Sequence, residues 1–402
     1  MDGRPHERQG QMDHGMVNAA RAIGRGAARP PAARMRGAGI ARALFGALAG
    51  LSLVAGVAGG LWRLGVAVPD PRLFPWSGQV LLVHAALMIC GFLGTVIGLE
   101  RAVALRRRAA FAAPLACGTG AWCLAFGYAG AGAWLGVAAA ACFFAVNAML
   151  VRRQWAAHTL LLLASAGAWL VGNLLFALGH GGHAVLPWWF AFLVMTIAAE
   201  RLEMARLMRR RPAASAALYA MLSLLLLGAA WSGAAPRMGG LIYGTALALL
   251  AAWLLAFDIA RRTVFSQGLA RYMAVCLLGG YGWLGIAGVA WALTALGWPM
   301  RDVALHALGL GFVVSMMMGH APVVLPAVAR IKLAFGPAFY LPLAALHLSL
   351  LVRFAPGTTG ETLRAAGAAL NAVSLAFFAA TMAAAALAWR LRHGAAGARE
   401  FT

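Results

Sequence analysis

The chain has 402 residues, of which 63% are hydrophobic and only 11% charged, with a mean hydropathy of +0.80. Soluble domains carry about 25% charged residues, so this composition excludes an ordinary water-soluble globular protein. The formal net charge of +22 invites a nucleic-acid partner, but the basic residues are spread between apolar runs, which argues against one.

Residues 1–36 are rich in Arg, Ala, Gly and Pro and read as a disordered basic tail. The sharper alternative is a polybasic contact with anionic lipid. Apolar runs of about 20 residues, the length that crosses a bilayer, then recur near 40–64, 77–100, 110–128, 131–151, 157–178, 185–205, 215–233, 238–260, 271–296, 302–328, 336–354 and 365–390. Residues 37–392 therefore read as one all-α polytopic membrane domain of about twelve transmembrane helices, followed by a short tail, 393–402. No cleavable leader is expected, because the first apolar run is long and starts late. The five cysteines all fall inside spans without a CxxC pair and read as small core residues.

Every second connection is basic. Arg101 with Arg106–Arg108, Arg152 with Arg153, Arg206 with Arg209–Arg211, Arg261, Arg262 and Arg271, and Arg330 with Lys332 fall on one side, as do the Arg-rich start and Arg390, Arg392 and Arg399. The other side carries Arg63, Arg72, Arg237, Arg301, Arg353 and Arg364. By the positive-inside rule, both termini are expected to be cytoplasmic; the expected location is a bacterial inner membrane.

Span 2 reads Phe92-Leu-Gly-Thr-Val-Ile-Gly-Leu-Glu100-Arg101, and span 6 reads Phe192-Leu-Val-Met-Thr-Ile-Ala-Ala-Glu200-Arg201. In span 10, His320 follows Phe312 by the same interval at which Glu follows Phe in the other two. Spans 2, 6 and 10 are four apart, which suggests three quasi-repeated four-helix units, with chance likeness among apolar segments as the competing explanation.

Ionisable groups inside a span are costly and face the protein interior or a cavity. His84 in span 2, His306 in span 10 and His347 in span 11 lie roughly 6–10 Å below the outer edge at 1.5 Å per residue. A common level on three helices suits a haem or copper site, since imidazole is a ligand for both. The plainer alternative is that each ring bonds a neighbouring backbone group. His320 lies near the inner end, where Pro322 and Pro326 are expected to break the helix. Glu100, Arg101, Glu200 and Arg201 read either as interfacial pairs or as a polar path from the inner face. His180 and His183 fall in a glycine-bearing outer loop, as solvated residues or as a capture point for a metal ion.

The stretch His84-Ala-Ala-Leu-Met88-Ile-Cys-Gly91-Phe92 resembles the early His-x-x-x-Met-x-x-Gly-Phe stretch of the NnrS family of nitric oxide response membrane proteins. His306-Ala307-Leu-Gly-Leu-Gly311 with Gly319-His320 is similar to that family's late His-Ala-Leu…Gly-His region. Ala86 and Leu87 stand where the family usually has a second His and a Glu. The resemblance implies twelve helices, bound haem and copper, a role in nitrosative stress or denitrification, and His84, His306 and His320 as ligand candidates. His347 joins them on depth alone, with His320 and His347 as candidates for a metal. The chain is similar, more distantly, to the catalytic subunit of haem–copper oxidases and nitric oxide reductases, which implies a b-type bis-His haem held by His84 and His306. Nitric oxide or a redox protein is the partner implied, besides the lipid bilayer. Two other functions stay open: a secondary transporter with a polar path through spans 2, 6 and 10, and an assembly or sensor protein for a respiratory enzyme.

Overall fold

The computed structural model describes residues 32–204, 212–329, 331–355 and 360–399, with side chains for 43–204, 212–326, 331–355 and 361–392. The first 31 residues of the expected tail, the cluster Arg206 and Arg209–Arg211, and Arg330 lie outside the described residues. The chain divides into a unit of residues 1–44 and a unit of residues 45–402; the packing and the sites described below lie within the second.

Each predicted span is helical, and no strand occurs among the described residues. We number the helices α1 (Ala32–Arg63), α2 (Ser77–Leu105), α3 (Ala112–Ala125), α4 (Ala129–Arg153), α5 (Ala157–Ala177), α6 (Gly182–Met204), α7 (Pro212–Ala234), α8 (Pro236–Phe257), α9 (Gly268–Ala295), α10 (Arg301–Pro326), α11 (Tyr340–Arg353) and α12 (Gly360–Arg399). Ten of these are long and apolar enough to cross a membrane; α3 and α11 are shorter, at 14 residues each. Helices suit such a setting because every backbone N–H and C=O is satisfied within the segment. At the two ends of the domain the helices outrun the expected spans. The first begins at Ala32 and the last runs to Arg399, because Ala and Arg are strong helix formers that carry a helix past its apolar stretch.

Helix α6 is the hub. Its most apolar window is 83% buried, against 33% for α4, α7 and α12, and Phe190 to Met195 are buried on every side. A helix apolar all round belongs at the centre. It packs against α5, α7, α8 and α10, and the Tyr243 hydroxyl of α8 donates to the Pro187 carbonyl at 2.9 Å. Helices α8 and α9 approach through glycine. A Cβ at Gly244 would stand 2.6 Å from Ala292 N, and one at Gly288 would stand 2.5 Å from Ala248 N. Small residues at such crossings let backbones touch, and the gain is close packing.

Two helices depart from regular α geometry. In α2 the backbone leaves helical dihedrals at Val83 (φ −96°, ψ 13°), and the ladder then widens into a π-helical segment over Leu87–Gly94. In α10 a π-helical segment covers Ala307–Val314. The two are in register: Phe92 and Phe312 occupy the same place in each, and each ends six residues before Glu100 or His320. The expected break at Pro322 and Pro326 is not found. Helical structure runs through both prolines and three residues beyond the apolar span, to Ala329, because a helix packed on its neighbours tolerates the freed carbonyls.

Candidate cofactor site and buried charge network

A cavity of about 560 Å3 opens between α1, α2, α6, α10 and the ends of α11 and α12 nearest to them. Its walls are largely apolar, including Met88, Phe92, Phe190, Leu193, Leu305 and Leu310. His84 and His306 both face it, one from each π-bearing helix. Their ring centroids are 6.5 Å apart and their planes lie within 24° of parallel. His306 directly precedes its π segment and His84 stands three residues before its own, just after Val83, and π segments within α-helices are frequent at functional sites.

The hydrogen bonds set the same tautomer on both rings. His84 Nδ1 donates to the Gly56 carbonyl of α1 at 2.5 Å. His306 Nδ1 lies 3.0 Å from the Asp302 carbonyl and 3.1 Å from its Oδ1, two acceptors that require a proton on that nitrogen. In each ring Nε2 then carries the lone pair. The glycines of α1 make room for this. A Cβ at Gly60 would meet His84 Cε1 at 2.8 Å, and one at Gly56 would meet Met88 Sδ at 2.7 Å.

Arg353, buried at the end of α11, holds Asp302 through both carboxylate oxygens, Nη2 to Oδ1 at 2.7 Å and Nε to Oδ2 at 2.9 Å. Its Nη1 reaches Asn371 Oδ1 at 3.3 Å, and Asn371 donates to Ser349 Oγ at 2.6 Å. Arg353 Nη2 is nearly equidistant from the two nitrogens of His306, 3.3 and 3.2 Å. A donor on the Nε2 lone-pair axis would stand much farther from Nδ1, so the guanidinium packs against the ring and leaves that axis clear. Arg63, Arg301 and Arg364 complete a cationic rim on the cavity, and buried Arg364 Nε has no hydrogen-bond partner.

His347 and His320 stand elsewhere, and neither lines this cavity. His347 faces α9, where Trp283 Nε1 donates to its Nδ1 at 2.6 Å and the two rings are 3° from parallel. His320 Nε2 is 2.6 Å from Arg201 Nη2, and its Nδ1 donates to the Met316 carbonyl at 2.7 Å, so both nitrogens are engaged. His320 belongs with the acidic and basic pairs at the other end of α2, α6 and α10. There Arg101 Nη2 bridges Glu200 at 2.9 Å and Glu100 at 3.3 Å. The side chains of Arg101 and Arg201 are buried. Among the described residues no three His, Cys, Asp or Glu side chains converge as a metal cage.

Reading the sequence alone missed Asp302, Arg353, Arg364 and Asn371. The available signal was electrostatic: Arg353 and Arg364 lie on the side poor in basic residues, where an arginine at an apolar helix end needs its own explanation.

The fold and site define an all-α chain with the build of a multi-pass membrane protein and a deep cavity flanked by paired imidazoles. The chain belongs to the family described as Domain of unknown function (DUF8744), which matches residues 42–387. No curated protein and no solved structure matches it.

Proposed function

We propose that this protein binds a b-type haem in the 560 Å3 cavity, with His84 and His306 as the two residues that would hold its iron. The observation that carries this is the ring pair. Two imidazoles that share one metal ion at about 2 Å can place their centroids roughly 6 Å apart, and the two rings stand at 6.5 Å with Nε2 as the free nitrogen in each. The fit extends beyond the rings. The apolar wall suits a porphyrin, and Arg63, Arg301 and the unpartnered Arg364 Nε suit its carboxylates. The Asp302 carboxylate at His306 Nδ1 is the outer-shell acceptor that strengthens a ligating imidazole. A haem with two imidazole ligands supplies one-electron chemistry. Arg353 keeps Asp302 in place and so orients His306. Copper is carried by the resemblance alone.

Around this site we read twelve transmembrane spans with cytoplasmic termini in a bacterial inner membrane, on the strength of the alternating basic connections; the cavity then opens towards the periplasm. The interlocking of Arg101 with Glu200 and of Arg201 with His320, each arginine reaching the next segment's acidic position or its equivalent, supports three related four-helix units. The nitric oxide setting rests on the likeness of the His84 and His306 stretches to the NnrS family.

The test is an absorption spectrum and pyridine haemochrome assay of the purified protein. About one haem per chain with a Soret band is expected, absent from His84→Ala and His306→Ala. Haem-free protein from haem-sufficient cells, or bands unchanged in both variants, would sink the reading. The buried charge network favours a second reading, a secondary carrier. It predicts substrate flux in vesicles that Glu100→Gln or Glu200→Gln abolishes, without a chromophore.

A further inference from the structure

A second cavity, about 220 Å3, lies beside the first and shares Leu186, Arg301 and Leu305 with it. It is built from the starts of α6, α8 and α10 and the ends of α7 and α9. Two guanidiniums, Arg237 and Arg301, and the His183 imidazole line it, with Ser232 and Thr294, and no carboxylate is among its lining residues. Neither arginine takes part in an ion pair among the described residues, and the nearest acid in sequence, Asp302, is held by Arg353. Arg301 reaches over the start of α6, with Nη2 3.4 Å from where a Gly182 Cβ would stand. Each of the three helices that begin here also brings N–H groups without intrahelical partners and the positive end of its dipole. The pocket thus sets two guanidiniums and three helix starts against the carbonyl ends of α7 and α9, with no side-chain carboxylate, in a space that holds a small ion and a few waters.

We propose that this pocket is an oxyanion-binding site, with Arg237 and Arg301 as the charged donors and His183 as the third polar wall. Bidentate guanidinium contacts favour planar or tetrahedral oxyanions over halides. The anion is a free inorganic oxyanion or the phosphodiester of a lipid headgroup, and the shared wall at Arg301 puts it next to the larger cavity. The proposal does not depend on haem.

Isothermal titration in nonionic detergent tests it, using nitrate, nitrite, sulfate and phosphate at fixed ionic strength with gluconate as the inert anion. A short-chain phosphatidylglycerol is the fifth probe. Saturable binding of at least one probe is expected, weakened tenfold or more by Arg237→Gln and partly restored in Arg237→Lys. Inorganic binding identifies a solute site, and binding of the lipid alone identifies a headgroup site. Thr294→Glu, which adds a carboxylate to the wall, is expected to abolish binding, and it serves if Arg237→Gln does not elute as a monodisperse protein. No saturable binding by any of the five, or affinity unchanged in folded Arg237→Gln or Thr294→Glu protein, would overturn the proposal. Haem content is read in parallel: Arg237 does not line the larger cavity, so its variants keep haem and the two readings fail separately.

Discussion

Arg101 of α2 holds Glu200 of α6 across ninety-nine residues, with Nη2 2.9 Å from Oε1. The relationship recurs one segment later, where Arg201 of α6 reaches His320 of α10 at 2.6 Å. Three helices far apart in the chain are thereby tied at one level by side chains that occupy matching places in each.

Arg101→Met is expected to destabilise the fold, because it leaves two carboxylates beside each other without their shared cation. Breaking a buried pair costs about 3–5 kcal/mol, and the partial exposure of Glu200 lowers this to roughly 2 kcal/mol here. The double variant Arg101→Met/Glu200→Met should recover part of the loss. Thermal unfolding in detergent, run as a double-mutant cycle, measures the coupling, and additive losses would show that the pair contributes nothing.

The histidines should divide by the cavity they face. Haem stoichiometry is expected to fall to near zero in His84→Ala and His306→Ala and to stay at the wild-type level in His347→Ala and His320→Ala. Loss of haem from a folded His347→Ala protein would count against the two-histidine site.

Asp302→Asn removes the negative charge at His306 Nδ1 while keeping its shape. A less electron-rich imidazole and an uncompensated Arg353 both favour the reduced haem. The midpoint potential should therefore rise, on the order of tens of millivolts. Arg353→Leu is expected to lower haem retention about 10-fold or more, the usual scale for a lost outer-shell partner. Redox titration and haem retention on a gel-filtration column read these effects.

Gly60→Ala should disturb the site from behind. The added methyl would press on His84 Cε1 at 2.8 Å, whereas Gly50 has open space at its Cβ. A shifted or weakened Soret band is expected for Gly60→Ala and none of this for Gly50→Ala.

Gly244→Val and Gly288→Val are each expected to cost about 1–3 kcal/mol by forcing α8 and α9 apart. Gly282→Ala, with nothing near its Cβ, serves as the neutral comparison. Midpoint temperatures of detergent-purified protein separate the two classes.

The twelve helical segments were legible in the chain because hydropathy is a local property, and a membrane requires each segment to satisfy its own backbone. Position along a helix follows from a fixed rise per residue, which gave His84, His306 and His347 one expected level, and the first two do meet. What depth does not carry is rotation about the helix axis. His84 and His306, each ahead of a π segment, face a common cavity, while His347 faces Trp283. A ladder widened by one residue leaves no mark in an apolar sequence, and neither does the pairing of Asp302 with Arg353 across fifty-one positions. Local hydropathy thus determined the helices; only the packing of helix on helix decided which polar groups meet, because that depends on facing surfaces the chain brings together from far apart.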